Sequence, residues 1–161
     1  MRVFIEEQTF RQWWIFLILG SSLLVCSVVL FNSYSHSTST AIEITAFGVI
    51  FLFFILIWKL RLKTKIDAKG IKTGFEPFSF FKKEFKWNEI DKCYVRKYAP
   101  LKEYGGWGVR GSGKKIAYNV SGDIGIQIFT TDKKNFLIGT NKPEEAKRVL
   151  RRYQEKIKNH E

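Results

Sequence analysis

Apolar and polar residues follow three different rhythms along the chain. Trp14 to Phe31 carries no charge over 18 positions, and Ala41 to Trp58, equally long, carries only Glu43. At 1.5 Å rise per residue each run predicts a helix of about 27 Å, enough to cross the hydrocarbon core of a bilayer. Ser21, Ser22 and Ser27 need not break the first helix, because a serine hydroxyl can bond back to a carbonyl of the preceding turn. From residue 59 the period becomes two. Leu62, Thr64 and Ile66 alternate with Arg61, Lys63 and Lys65, and the turn Asp67–Gly70 leads into a second strand, Ile71–Phe75. Beyond the break at Glu76-Pro77, strands are expected over Lys82–Trp87, Ile90–Tyr98, around Ile116–Val120, around Ile124–Ile128 and at Phe136–Ile138. The last rhythm is helical: Pro143, Glu144 and Glu145 open an amphipathic stretch whose stripe is Ala146, Val149, Leu150, Tyr153 and Ile157.

These elements predict an α+β chain in three parts. Residues 1–58 form a tail and a two-helix transmembrane hairpin, with helices at about 14–31 and 41–58. Residues 59–65 are a basic juxtamembrane segment, and 66–161 an antiparallel β-barrel or sandwich capped by one helix at about 143–158. Charge sharpens the division. Residues 1–58 hold two basic and three acidic side chains, a net of −1, while 59–161 hold 25 and 12, a net of +13. Arg2 and Arg11 flank the first apolar run, and Lys59, Arg61, Lys63 and Lys65 follow the second, whereas the connection Asn32–Thr40 has no Lys or Arg. The positive-inside rule then places both termini in the cytoplasm, with Trp13, Trp14 and Trp58 at one interface. A cleaved signal peptide is the competing account of the first run, with Ser33-Tyr34-Ser35 as its cleavage site. The β-domain stays cytoplasmic under either account, because the second helix keeps its basic flank.

Six or seven antiparallel strands closed by a C-terminal helix is the plan of the pleckstrin-homology superfold. Lys86-Trp87-Asn88-Glu89-Ile90 resembles the approach to the third strand in bacterial domains of that kind. Tyr104-Gly105-Gly106-Trp107-Gly108-Val109-Arg110 is similar to a YGGWG[IV]R signature in small bacterial membrane proteins of an uncharacterised family. Tyr118–Gly122, Gly125–Ile128 and Ile138–Thr140 extend the likeness over most of residues 60–152. The resemblance implies a pleckstrin-homology-like domain on a membrane hairpin, in the bacterial cytoplasmic (inner) membrane, and it implies no activity.

Candidate chemistry is sparse. His36 and His160 are the only histidines, and Cys26 and Cys93, one in each part, form neither a disulfide framework nor a zinc site. No nucleophile–base pair or carboxylate dyad stands at a recognisable spacing, so no enzyme, cofactor or metal is expected. Gly106-Trp107-Gly108-Val109-Arg110-Gly111 matches G-x-G-x-x-G, but no helix follows it. Gly108 to Gly113-Lys114 begins a phosphate loop, but Lys115 stands where Ser or Thr would hold magnesium. A β-loop with positive-φ glycines accounts for both, and its tip (Tyr104, Gly105, Gly106, Trp107, Gly108 and Arg110) is a candidate contact with lipid or a protein partner. Lys59, Arg61, Lys63, Lys65, Lys69 and Lys72 are candidates for acidic phospholipid, at about 1 kcal/mol per basic residue near an anionic surface. Lys147, Arg148, Arg151, Arg152 and Lys156 read as the solvated face of the last helix, and no nucleic acid is expected. The sequence therefore points to a membrane-anchored binding or scaffolding module, with an accessory subunit of a membrane complex as the alternative.

Overall fold

The computed structural model describes residues 3–10, 13–35 and 41–158. Arg2, Arg11, His36, His160 and residues 36–40 of the connection lie outside the described residues, as do the side chains of Glu43, Lys156 and Ile157. The chain divides into two compact units: Phe10–Leu60, and the chain up to Thr9 together with Arg61 onward.

The first unit holds α1 (Trp13–Ser35) and α2 (Ala41–Lys59). Within α1, Trp13–Asn32 is long and apolar enough to cross a membrane, a test that a signal sequence near an N-terminus also passes. The apolar part of α2, Ile44–Lys59, is shorter. The ring of Phe16, early in α1, meets Phe54 and Trp58, late in α2, at centroid distances of 6.0 and 5.5 Å. Ser21, Ser22 and Ser27 donate to Ile18, Leu19 and Leu23 carbonyls at 2.8–2.9 Å, so their hydroxyls are satisfied inside the helix as expected.

The second unit is built on two sheets. One has the order β1 (Phe4–Thr9), β2 (Arg61–Ile66), β3 (Gly70–Glu76), β4 (Lys83–Lys86), all antiparallel. The other runs β5 (Ile90–Lys97), β8 (Ile124–Thr130), β9 (Asn135–Gly139), β7 (Lys115–Asn119), β6 (Gly108–Ser112). Its β7–β9 pair is parallel, a departure from the all-antiparallel expectation. Among the described residues no ladder joins the two sheets, so the unit is not a closed barrel. Their facing sides bury Leu62, Ile66, Ile71 and Phe75 against Tyr118, Ile126, Ile128, Phe136 and Ile138. Phe75 meets Tyr118 at 5.5 Å and Phe85 meets Phe136 at 5.0 Å.

The alternation read at Arg61–Ile66 is present in β2, whose Leu62, Thr64 and Ile66 point inward. The strand expected over Lys82–Trp87 is shortened to β4, and Trp87–Glu89 is a 3-10 turn. The C-terminal helix α4 (Pro143–Lys158) buries Ala146, Val149 and Leu150 and stacks Tyr153 on Trp87 at 5.0 Å. It packs on β5, β1 and β8 and on the 3-10 turn Trp87–Glu89.

Three elements are additions to the sequence reading. The segment taken as an N-terminal tail is β1, the edge strand beside β2. Its inward positions are Phe4, Glu6 and Gln8, and its outward ones include Ile5, so two of the three buried side chains are polar. Glu6 is stable there because its carboxylate accepts from Thr140 Oγ1 at 2.6 Å and from the Asn141 N–H at 2.7 Å. Gln8 Nε2 donates to the Gly139 carbonyl at 2.7 Å. The others are the short helix α3 (Pro100–Tyr104) and β6, in the segment expected to be a glycine-rich loop.

Candidate functional site

Two candidate surfaces belong to the second unit, apart from Lys59, which ends α2 in the first. The basic residues divide along the strand axis. Strand pairing sets Thr9, Arg61 and Glu76 in one row at one end of the first sheet, and Phe4, Ile66, Ile71 and Phe85 in the row at the other. Five residue steps separate these rows, about 17 Å at strand rise. Arg61 therefore lies at the end where the chain leaves for α1 and returns from α2, while Lys69 lies in the turn at the far end. Lys65 and Lys72 are opposite one another, one step from that far row.

Most of these cations already have anionic partners. Lys63 Nζ lies 3.1 Å from Glu7 and 2.8 Å from Glu76, and Arg61 lies 3.7 Å from Glu7. Lys65 pairs with Asp67 at 3.1 Å and Lys72 with Glu84 at 2.8 Å. Glu76 and then Glu7 raise the Lys63 pKa, and Glu84 raises that of Lys72, because a neighbouring carboxylate favours the ammonium. Such exposed pairs contribute little to stability, typically 0–1 kcal/mol, but they cancel much of the field that the strand would present to lipid. Among the described residues no ion pair involves Lys59, at the end of α2, or Lys69. A concavity of about 590 Å³ lies on this outer face, between Ile5, Lys63, Lys72, Gly74 and Lys82.

The glycine-rich segment is the second surface, and local geometry accounts for much of its composition. Pro100 starts α3 and Gly105 ends it in the left-handed region, φ +73, with its N–H donated to Leu101. At Gly111, φ +81, an added Cβ would stand 2.1 Å from the Lys115 carbonyl oxygen, so the β6–β7 hairpin excludes any side chain there. Trp107 is half-buried and its indole N–H donates to the Gly122 carbonyl at 3.2 Å, while Arg110 Nε donates to Trp107 at 2.8 Å. Asn119 ties the loop down, accepting from the Gly108 N–H and donating to Tyr98 Oη, both at 2.9 Å. The structure thus brings Tyr104 to Arg110 together as one braced loop, with Tyr104 and Gly106 buried and Gly105 and Arg110 exposed. The loop is β-hairpin and helix cap, with no helix following in the manner of a nucleotide-binding turn.

Sequence reasoning missed the polar network beneath this loop. Arg96 grips Glu103 through Nη1 at 3.1 Å and Nη2 at 2.6 Å, and its Nε donates to Gln127 at 2.9 Å. The Arg96 guanidinium holds the Glu103 carboxyl down at about 2. Lys115 Nζ sits 4.8 Å from the centroid of the Tyr104 ring. The start and stop signals of α3, Pro100 and Gly105, were the available clue. Among the described residues, no group of three or more His, Cys, Asp and Glu could hold a metal ion. No family model, no curated protein and no solved structure matches the chain.

Proposed function

We propose that this chain is a membrane-anchored binding or scaffolding module, akin to the bacterial pleckstrin-homology-like membrane proteins, with α1 and α2 both crossing the inner membrane and the β-unit at its cytoplasmic face. The observation that carries this reading is the pairing of Thr9 with Arg61. A strand before α1 and a strand after α2 share one sheet, so the chain must leave and return on the same side of any bilayer it enters. The crossings are then even in number: both helices span, or neither does. The same pairing argues against a cleaved signal peptide, since cleavage after α1 would remove β1 and strand the Glu6 and Gln8 partners. Lys59 and Arg61 beside the return point, against a connection without Lys or Arg, support a cytoplasmic β-unit under the positive-inside rule.

Topology reporters test this directly. A reporter active only outside the cytosol should stay silent when fused to Glu161 and give signal when inserted at Ser37. Signal from Glu161, or silence from Ser37, overturns the anchoring scheme. An accessory subunit of a membrane complex is the second reading. It is favoured by Gly20 and Gly48, around which no atom lies within 4 Å of an added Cβ, leaving small-residue surfaces for another helix. A stoichiometric membrane partner, recovered after mild detergent extraction and lost on Gly20→Leu with Gly48→Leu, would favour that reading over the first.

A further inference from the structure

The row Thr9, Arg61, Glu76 marks three places where the chain runs off the same end of the first sheet. Two of them lead to and from the apolar helices. The third leads into Pro77 and the 3-10 turn Ser79–Phe81. The stretch Phe78–Phe81, which includes this turn, carries three phenylalanines and buries none of them fully. Phe80 is 72% exposed, and Phe78 and Phe81 are half-buried. They cluster among themselves, with ring centroids 4.2 Å apart for Phe80 and Phe81 and 5.6 Å for Phe78 and Phe80. Lys82 and Lys83 follow at once, both exposed, and among the described residues neither has an ion pair. An exposed aromatic cluster is unfavourable in water, whereas a ring cluster flanked by lysines suits the boundary between acyl chains and anionic headgroups.

We propose that the turn Pro77–Lys83 is a third membrane contact, in which Phe80 and its neighbours enter the interfacial region of the bilayer that carries α1 and α2, and Lys82 and Lys83 meet lipid phosphates. The proposal rests on the anchoring reading above. It assigns lipid contact to residues outside the basic juxtamembrane segment 59–65, most of whose cations are paired. The Lys69 turn, about 17 Å along the strands from the chain-exit row, is not part of this contact.

The test uses the full chain in vesicles of phosphatidylcholine and phosphatidylglycerol, some carrying nitroxide quenchers at a shallow acyl position, read against Phe80 and Lys69, and others at a deep one, read against Leu24. A polarity-sensitive fluorophore is attached to Phe80→Cys, to Lys69→Cys or to Leu24→Cys, each with Cys26→Ala. Leu24 lies in α1 and reports whether that helix is in lipid. The expected result is that labels at Leu24 and Phe80 lose most of their emission to the quencher while the label at Lys69 keeps its own. Quenching at Leu24 with Phe80 behaving like Lys69 overturns the proposal and leaves the anchoring intact. An unquenched Leu24 overturns both. Because Phe80 is exposed, its replacement leaves the fold in place, and matched circular dichroism of the three labelled chains verifies it.

Discussion

Cys93 lies in β5 with 5% of its surface exposed, and burial pushes its thiol up to about 12. The thiolate is the reactive form, so this cysteine should resist alkylation near neutral pH until the fold opens. Mass spectrometry after iodoacetamide should find Cys93 unmodified in native protein and modified in denaturant; native labelling would place it at the surface. Glu103 shows the opposite effect of surroundings. Its carboxyl falls from an ordinary 4.5 to about 2 because the folded state stabilises the charged form beside Arg96. The contribution is complete above pH 4.5 and is lost as pH falls toward about 2. Glu103→Gln should therefore lower stability at pH 7 by about 1–2 kcal/mol, less than the full linkage value because the pair is partly solvated. It should also flatten the acid limb of a stability–pH curve, and an unchanged limb would show that the pair does not couple to folding. The Arg96–Glu103 pair spans seven positions and depends on α3 folding back over β5. Neither residue announces it in the sequence.

The elements differ in how plainly they are written in the chain. The alternation in β2 and the stripe of α4 were legible because their buried sides are apolar. Strand β1 was hidden because its buried side carries Glu6 and Gln8, which are tolerable only where Thr140, Asn141 and Gly139 supply partners. Such inward-pointing polar groups also discourage pairing between exposed sheet edges. α4 packs on β5, β1 and β8 with Val149 and Leu150 buried, 8% and 3% exposed. Leu150→Ala should cost about 2–4 kcal/mol in chemical denaturation through lost burial and the cavity left behind. The exposed Arg151→Ala should stay within about 0.5 kcal/mol. Equal effects from the two would mean that the helix does not close the core.

At the scale of the whole molecule, the split unit has a practical consequence. Residues 61–161 alone lack β1, and with it the buried Phe4, worth about 1.5–3 kcal/mol, and the Glu6 hydrogen bonds. Thr9 and Arg61 are paired directly, so a two-residue Asn-Gly turn replacing residues 10–60 should join them as a β-hairpin. That shortened chain should be soluble, unfold cooperatively and melt at a higher temperature than residues 61–161. Equal melting temperatures would show that β1 adds nothing to the unit.

The sequence by itself determined the features that rest on local chemistry: an uncharged apolar run long enough for a membrane, the change from unbroken apolarity to alternation at residue 59, and an amphipathic last helix. Each is a periodicity within one segment, and burial imposes periodicity wherever an element has one wet and one dry side. What only the tertiary structure decided depends on residues far apart in the chain. Glu6 meets Thr140, Thr9 pairs with Arg61, four basic residues find Glu7, Glu76, Asp67 and Glu84, and the aromatic turn at Phe80 shares a sheet end with the exits to α1 and α2. No local pattern encodes these meetings, because strand order and register set them. Only when the first and second strands stand side by side does it follow that the apolar helices cross a bilayer together or not at all.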